Sequence, residues 1–241
     1  MLLTYSVACL TLFVSFIIII ELSNKIWILR SAFTFVVDLF LDDVRRKALC
    51  VLKLEKSIYF NRSRKERLRI LEIRPLNGSN FEYYPEDVSL TCVDPYDSFG
   101  SFYDRHKNKF EEIGLLLENF CCTQVEDMSE IKDESIDIVV ATSVLCWVKD
   151  VDKSLSEIKR VLVKGGKYYF LEHVKDPNES IYFYQKLLRP IWSLMFHKCQ
   201  ITRDIGTSIK NAGFHEVEED SYRLPAITFV LQYHIYGTAT K

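Results

Sequence analysis

Two acidic residues stand near the carboxyl ends of the first two predicted strands. Glu72 lies near the end of the run Arg69–Ile73, and Asp94 directly follows the run Val88–Val93. In an open α/β sheet a ligand binds beyond the carboxyl ends of the strands, where the strand order reverses. A carboxylate there can accept hydrogen bonds from the two ribose hydroxyls of a nucleoside, so Asp94 is the first candidate. The alternative is that Asp94 is a turn or helix-capping residue before Pro95.

A second acidic group precedes the most strongly β-branched run of the chain. Glu126, Asp127 and Met128 come before Ser135–Ala141, and Thr142 follows that run. A carboxylate in this loop can accept a hydrogen bond from the exocyclic amine of adenine, while an apolar neighbour packs against the ring. The alternative interpretation is an ordinary solvated loop.

Short β-rich runs that alternate with helical ones must position these residues. The pattern predicts an α/β domain with a mostly parallel sheet covered by helices. One helix is predicted over Val151–Val163, and Gly165-Gly166 is predicted to end it. The last two strands are predicted to be antiparallel. The six predicted strands are Arg69–Ile73, Val88–Val93, Ser135–Ala141, Lys167–Leu171, Phe214–Glu219 and Phe229–Thr238.

The N-terminus has the composition of a membrane segment. No charged side chain occurs from Met1 to Ile20, and twenty helical residues at about 1.5 Å each span roughly the 30 Å of a bilayer core. We expect an uncleaved transmembrane anchor over residues 1–22, and the basic residues that follow it predict a cytosolic domain. Residues 23–68 are predicted to form an interfacial helix and a basic linker, and residues 69–241 the folded domain.

The overall composition is that of a globular protein. Hydrophobic residues make up 48% of the chain and charged residues 27%, with a formal net charge of -2, so nucleic acid is not an expected partner. The seven cysteines have neither the spacing of a disulfide framework nor that of a zinc site. We therefore expect reduced thiols and no metal.

The order of these pieces resembles the class I methyltransferases of the type-11 group. It is carried by Glu72, Asp94, Glu126-Asp127-Met128, Asp137–Val140 and Glu172-His173. Within that group the chain is similar to the methyltransferase-like protein seven family, membrane-bound alkyl-thiol S-methyltransferases of the endoplasmic reticulum and lipid droplets. Further matching positions are Asn80-Phe81, Tyr84-Pro85, Cys92–Pro95, Val144–Cys146 and Thr202-Arg203.

The resemblance implies a doubly wound, seven-stranded, Rossmann-like sheet and S-adenosylmethionine as the cofactor. It also implies a small apolar acceptor, a thiol in that family, and a location at the endoplasmic reticulum or lipid droplets. His173 is the candidate catalytic residue, because it follows a strand that ends over the pocket and a base would help to form a thiolate; a structural histidine is the alternative. The residues implied to bind the cofactor are Glu72, Gly78, Asp94, Glu126, Asp127, Met128 and Thr142.

One departure from the family pattern falls in the cofactor loop. The family has three alternating glycines after the first strand, and the chain has Arg74, Leu76 and Gly78 at those positions. A residue other than glycine with a positive φ costs roughly 1–2 kcal/mol, and Pro75 removes a backbone donor. Two hypotheses therefore stay open: an active membrane-anchored methyltransferase, and a catalytically inactive methyltransferase-fold scaffold at the membrane.

Overall fold

A computed structural model describes residues 37, 39–53, 55, 67–196 and 198–241. These residues form one sheet of seven strands in the order β3-β2-β1-β4-β5-β7-β6. The strands are β1 (Leu68–Ile73), β2 (Val88–Val93), β3 (Leu116–Cys121), β4 (Ile136–Thr142), β5 (Leu162–His173), β6 (Glu216–Arg223) and β7 (Tyr233–Thr240). The helices are α1 (residues 39–49), α2 (Phe99–Ile113), α3 (Val151–Val161), α4 (Glu179–Met195) and α5 (Ile205–Asn211).

Strands β1 to β5 are parallel, and β7 runs antiparallel between β5 and β6. The strand order reverses between β1 and β4, so a ligand is expected to bind beyond the carboxyl ends of the strands near this point. The predicted doubly wound sheet, including its antiparallel final pair, is confirmed. Strand β3 was not predicted: it lies at the sheet edge, and the half-exposed run with Glu118 and Asn119 lacks a clear alternation.

The central strands are apolar because both of their faces are covered. Every residue from Ile136 to Ala141 in β4 is buried, as expected for a parallel strand between two helical layers. Helix α3 covers one face with Leu155, Ile158 and Val161. The prediction that Gly165-Gly166 ends this helix is wrong, since α3 ends at Val161 and both glycines lie inside β5.

Helix α1 and the short segment after it contribute to the same core. Val44, Leu49 and Leu52 are at most 1% exposed and belong to the hydrophobic cluster of the sheet. Glu55 fixes the end of this segment, because its Oε1 accepts hydrogen bonds from Lys167 Nζ at 2.6 Å and Tyr169 Oη at 2.5 Å. The described part of the predicted linker therefore packs into the domain.

The predicted transmembrane anchor, residues 1–22, lies outside the described residues, as does most of the basic linker. In the part of the chain that the structure describes, no helix has both the length and the apolar character needed to cross a membrane.

Candidate active site

The loop after β1, residues 74–78, keeps the backbone path of a glycine-rich loop without two of its glycines. Arg74 has φ 55°, Leu76 φ 49° and Gly78 φ 67°, all in the left-handed region. Among the hydrogen bonds that hold this path, Arg74 N donates to Val93 O at 2.8 Å, and Gly78 N donates to Pro75 O at 2.7 Å. The left-handed conformation costs roughly 1–2 kcal/mol at each of the two residues, so the surrounding contacts must outweigh that strain.

The one remaining family glycine of this loop is required by packing. A Cβ atom at Gly78 would lie 2.4 Å from the ring of Phe81, in addition to the strain of its positive φ. Its carbonyl accepts a hydrogen bond from Lys109 Nζ of α2 at 2.9 Å. Gly78 therefore supports the loop through its packing against Phe81 and its bond with Lys109. It is not among the described residues that line the cleft next to the loop.

That cleft, which we call the cofactor cleft, has a volume of about 830 Å³. Such a volume lies within the range of about 300–1,000 Å³ that is typical of ligand sites. Arg74 and Leu76 line the cleft without filling it, and Leu76 is 57% exposed. The lining residues are Arg74, Leu76, Asn77, Asp94, Tyr96, Asp97, Ser101, Arg105 and His106.

Asp94 is the acidic residue best placed for a ligand in this cleft. The residue is only 5% exposed, and its Oδ1 accepts a hydrogen bond from Tyr96 N at 2.9 Å, which fixes the carboxylate at the cleft wall. Burial raises the pKa of Asp94, whereas the bond from Tyr96 and the positive charge of Arg74 oppose that rise. A buried, oriented carboxylate at the end of β2 fits the ribose of a nucleoside cofactor.

The side chain of Asn80 joins Glu72, near the end of β1, to Thr142 at the end of β4. Asn80 Nδ2 donates to Glu72 Oε1 at 2.8 Å and to Thr142 Oγ1 at 3.1 Å. Tyr84 Oη donates to Glu72 Oε2 at 2.5 Å. Burial raises the pKa of Glu72 to about 7, although these two donors oppose the rise. Both carboxylate oxygens are thus engaged within the protein, in a position that braces β1 against β4.

The second predicted acidic group is also not among the described residues that line the cleft. Glu126 Oε1 accepts from the backbone of Lys149 at 2.6 Å, so this carboxylate organises the approach to α3. Met128 is fully buried, and its NH donates to Glu157 Oε2 at 2.8 Å. Asp127 is exposed. A contact of any of these three with the cofactor stays a prediction.

His173, the predicted catalytic residue, ends β5 beside two cysteines that distant parts of the chain supply. Its Nε2 lies 3.2 Å from the Sγ of Cys199, and the residue is 5% exposed. Cys146 completes this group, which we call the Cys-His cluster, and the three ligand atoms lie within 4.8 Å of one another. Burial alone would lower the pKa of His173, but the adjacent Cys199 raises it. The hydrogen bond with Cys146 and the charge of His173 lower the pKa of Cys199 despite its burial.

The Cys-His cluster borders the cofactor cleft through one stacked pair. The guanidinium of Arg74 lies 4.2 Å from the ring centroid of Trp147, the residue after Cys146. Arg74 also lines the cleft, so its side chain stands between the two sites. The sequence pattern did not identify Cys199 as a site residue, nor did it identify the Arg74–Trp147 stack. Both contacts, that of Cys199 with His173 and that of Arg74 with Trp147, join residues far apart in the chain.

Comparisons with known proteins agree with this geometry. Residues 71–170 match the family model described as a methyltransferase domain. The chain is 36% identical over 176 residues to the human thiol S-methyltransferase TMT1A, which covers 73% of the chain and 71% of that protein. It is 36% identical over 173 residues to the rat thiol S-methyltransferase TMT1B, covering 71% of the chain and 70% of that protein.

Solved structures show the same fold at low sequence identity. The N-methyltransferase NodS of Bradyrhizobium japonicum, solved with S-adenosylhomocysteine, superposes with a TM-score of 0.57 and 14% identity, covering 84% of the chain and 87% of NodS. An S-adenosylmethionine-dependent methyltransferase of Methanosarcina mazei gives a TM-score of 0.55 and 17% identity, covering 76% of the chain and 96% of that protein. At these identities the likeness concerns the fold alone.

Proposed function

Because the chain belongs to the family of S-adenosylmethionine-dependent methyltransferases that includes the thiol S-methyltransferases TMT1A and TMT1B, we propose that it methylates the sulfur of a small apolar thiol. This family membership confirms the resemblance predicted from the motifs. It also confirms S-adenosylmethionine as the cofactor. The thiol is the acceptor named for the relatives, and for this chain it is a proposal.

The observation that carries the proposal is the cofactor cleft. Asp94 supplies a buried carboxylate at its wall, and the loop after β1 keeps its left-handed backbone at Arg74 and Leu76. The cleft stays open because neither of these side chains closes it. The residues present therefore fit S-adenosylmethionine, with Asp94 holding the ribose.

The chemistry asks little more of the protein than alignment and exclusion of water. When bound, S-adenosylmethionine supplies an electrophilic methyl group on a sulfonium. The acceptor sulfur forms the new carbon–sulfur bond, S-adenosylhomocysteine leaves, and the thiol proton must go to a base or to solvent. A thiolate is the competent nucleophile, and His173, at the neighbouring strand end, is the proposed positioning or basic group.

A direct test measures binding and turnover on the full chain. Calorimetry with S-adenosylhomocysteine should show binding, and mass spectrometry should show a methyl thioether formed from an alkyl thiol and S-adenosylmethionine. Absence of both binding and product would reject the enzyme and favour the inactive scaffold. The scaffold hypothesis is motivated by Arg74 and Leu76, and it predicts that the double variant Arg74→Gly/Leu76→Gly binds the ligand while the natural chain does not.

We further propose that the enzyme works at a membrane. The sequence of residues 1–20 is uncharged, and helix α4 adds an exposed apolar face at Phe183, Leu187, Ile191 and Leu194, each at least 58% exposed. The spacing of four, four and three residues puts these side chains on one side of the helix, where they could rest on lipid. Placement at the endoplasmic reticulum or lipid droplets, with the domain facing the cytosol, rests on the family resemblance and the charge distribution alone.

Vesicle flotation tests the membrane proposal. The full chain should float with neutral phospholipid vesicles, and a chain lacking residues 1–22 should float less. Adding Leu187→Glu to the shortened chain should abolish the remaining binding, whereas the polar change Glu179→Gln on the same helix should not. A full chain that stays with the soluble fraction would contradict the proposal, and imaging of a tagged chain in cells would test the organelle.

A further inference from the structure

The Cys-His cluster brings three metal-binding side chains together in the interior. Cys146 follows β4, His173 ends β5 and Cys199 follows α4, so three separate elements supply them. All three are buried, with exposures of 0%, 5% and 4%. Their Sγ and ring nitrogen atoms lie within 4.8 Å of one another, which no spacing along the chain would reveal.

The distances suit a tetrahedral ion. Zinc binds thiolate sulfur at about 2.3 Å and imidazole nitrogen at about 2.0–2.1 Å, so two ligand atoms on one ion stand roughly 3.5–3.8 Å apart. The Nε2 to Sγ distance between His173 and Cys199 is 3.2 Å, and no pair in the cluster exceeds 4.8 Å. Bringing the set onto a common centre requires these separations to change by up to about 1 Å, which side-chain rotations can supply.

The backbone that carries the ligands is already fixed. Gln200 N donates to Cys146 O at 2.9 Å, which joins the segment of Cys199 directly to that of Cys146. Glu172 Oε1 accepts from Val144 N at 2.8 Å and Leu145 N at 2.9 Å, which holds the turn that ends in Cys146. Arg203 adds a bond of 2.5 Å to the carbonyl of Leu145. Preorganisation of this kind lowers the ordering cost of binding an ion.

We infer that Cys146, His173 and Cys199 form a binding site for a thiophilic divalent metal ion, with zinc as the best match. Two sulfurs and one imidazole favour zinc over magnesium or calcium, which prefer oxygen ligands. On binding, any proton on the two thiols leaves to solvent and the imidazole binds as the neutral base. Three protein ligands leave the fourth tetrahedral position for water or another small ligand.

With the ion bound, the imidazole of His173 is a ligand and not a free base, so in methyl transfer it only positions the acceptor. The test of the site therefore uses metal readouts that need no turnover. Full chain is purified without chelator, and metal content is measured by mass spectrometry; one zinc ion per chain is expected. Replacement by cobalt should give the visible bands of a tetrahedral ion and a sulfur-to-cobalt charge-transfer band. Cys146→Ser and Cys199→Ser should each lose that band and weaken zinc binding by more than about 100-fold.

Control variants separate loss of the site from loss of the fold. Cys92→Ala removes another fully buried thiol, and Cys122→Ser an exposed one; both should keep the metal. Zinc should raise the melting temperature of the natural chain by mass action. If the serine variants fail to fold, the spectrum and stoichiometry of the natural chain still decide the question.

Two results would overturn the inference. One is a folded natural chain that takes up neither zinc nor cobalt. The other is a disulfide between Cys146 and Cys199 as the stable form of the protein, found by mapping peptides without reduction. Binding of S-adenosylhomocysteine, measured on the same sample, reports separately on the proposed function.

Discussion

The loop after β1 and the turn after β4 both lie at the carboxyl ends of the parallel strands, but different interactions hold them. The loop keeps a left-handed backbone at Arg74 and Leu76 against the preference of both residues. The turn after β4 also has a residue of positive φ, Ser143 at 54°, but the buried carboxylate of Glu172 clamps it by accepting two backbone bonds. A glycine-like backbone conformation can therefore be kept by residues other than glycine, provided that hydrogen bonds hold the backbone in place.

From this difference we expect substitutions at the turn to change mainly the free energy of unfolding. Substitutions around the loop should change mainly the affinity for the ligand. The largest effect is expected for Glu172→Ala, because Val144 N and Leu145 N would become buried donors without an acceptor. We expect a loss of about 2–4 kcal/mol in the free energy of unfolding, measured by urea denaturation. Glu172→Gln keeps an acceptor oxygen and should recover most of this; equal losses in the two variants would contradict the role assigned to Glu172.

Asp94 lines the cofactor cleft beside the loop, and Asp94→Ala should abolish most of the cofactor affinity and leave the fold intact. Loss of hydrogen bonds to a charged group, worth about 1.5–3 kcal/mol each, predicts a fall of at least about 100-fold in affinity for S-adenosylhomocysteine. Asp104→Ala removes an exposed carboxylate of α2 and serves as the matched control. Calorimetry decides, and unchanged binding by the Asp94 variant would remove this residue from the site.

Glu72, which Asn80 joins to Thr142 of β4, predicts a pH dependence of stability. Its pKa is raised from 4.5 to about 7 by burial, so the folded chain binds a proton more tightly than the unfolded chain does. The stability that this proton confers is fully present below about pH 4.5 and is lost as the pH rises to about 7, a change of up to about 3 kcal/mol.

Glu72→Gln should remove its share of this slope, since the amide cannot titrate, and Glu172, whose pKa burial also raises to about 7, should supply the rest. The comparison is the difference in unfolding free energy between pH 5 and pH 8, for the natural chain and the variant. Glu86→Gln changes an exposed carboxylate and should leave the profile unaltered. A variant with the same slope as the natural chain would show that Glu72 is not the group responsible.

The smallest effect is expected at Leu76. Leu76→Gly relieves roughly 1–2 kcal/mol of left-handed strain but gives back roughly 0.5–1 kcal/mol through the entropy of the unfolded chain. We expect a net gain of at most about 1.5 kcal/mol, seen as a small rise in melting temperature. Asp104→Gly in the interior of α2 should instead lower it. A destabilised Leu76 variant would mean that the leucine side chain, and not the backbone, holds the loop.

Much of this architecture could be predicted from the chain alone. The run Val88–Val93 was predicted with the bounds that β2 has in the structure, and the central strands were located within one or a few residues. Strand β3 and the true end of α3 were missed. In both places tertiary pairing decided the structure: β3 adds to the free edge of β2, and pairing with β4 lets β5 begin at Leu162 directly after the helix.

The sequence by itself determined the alternation of strands and helices, the acidic residue at the end of β2 and the family, since these depend on local periodicity and on the order of motifs. The tertiary structure alone decided that Arg74 and Leu76 keep a glycine-like path and that Cys146, His173 and Cys199 meet. The physical reason is that a hydrogen bond from Arg74 N to β2 and contacts across three elements fix these features. Such interactions join residues far apart in the chain, and no spacing along it records them.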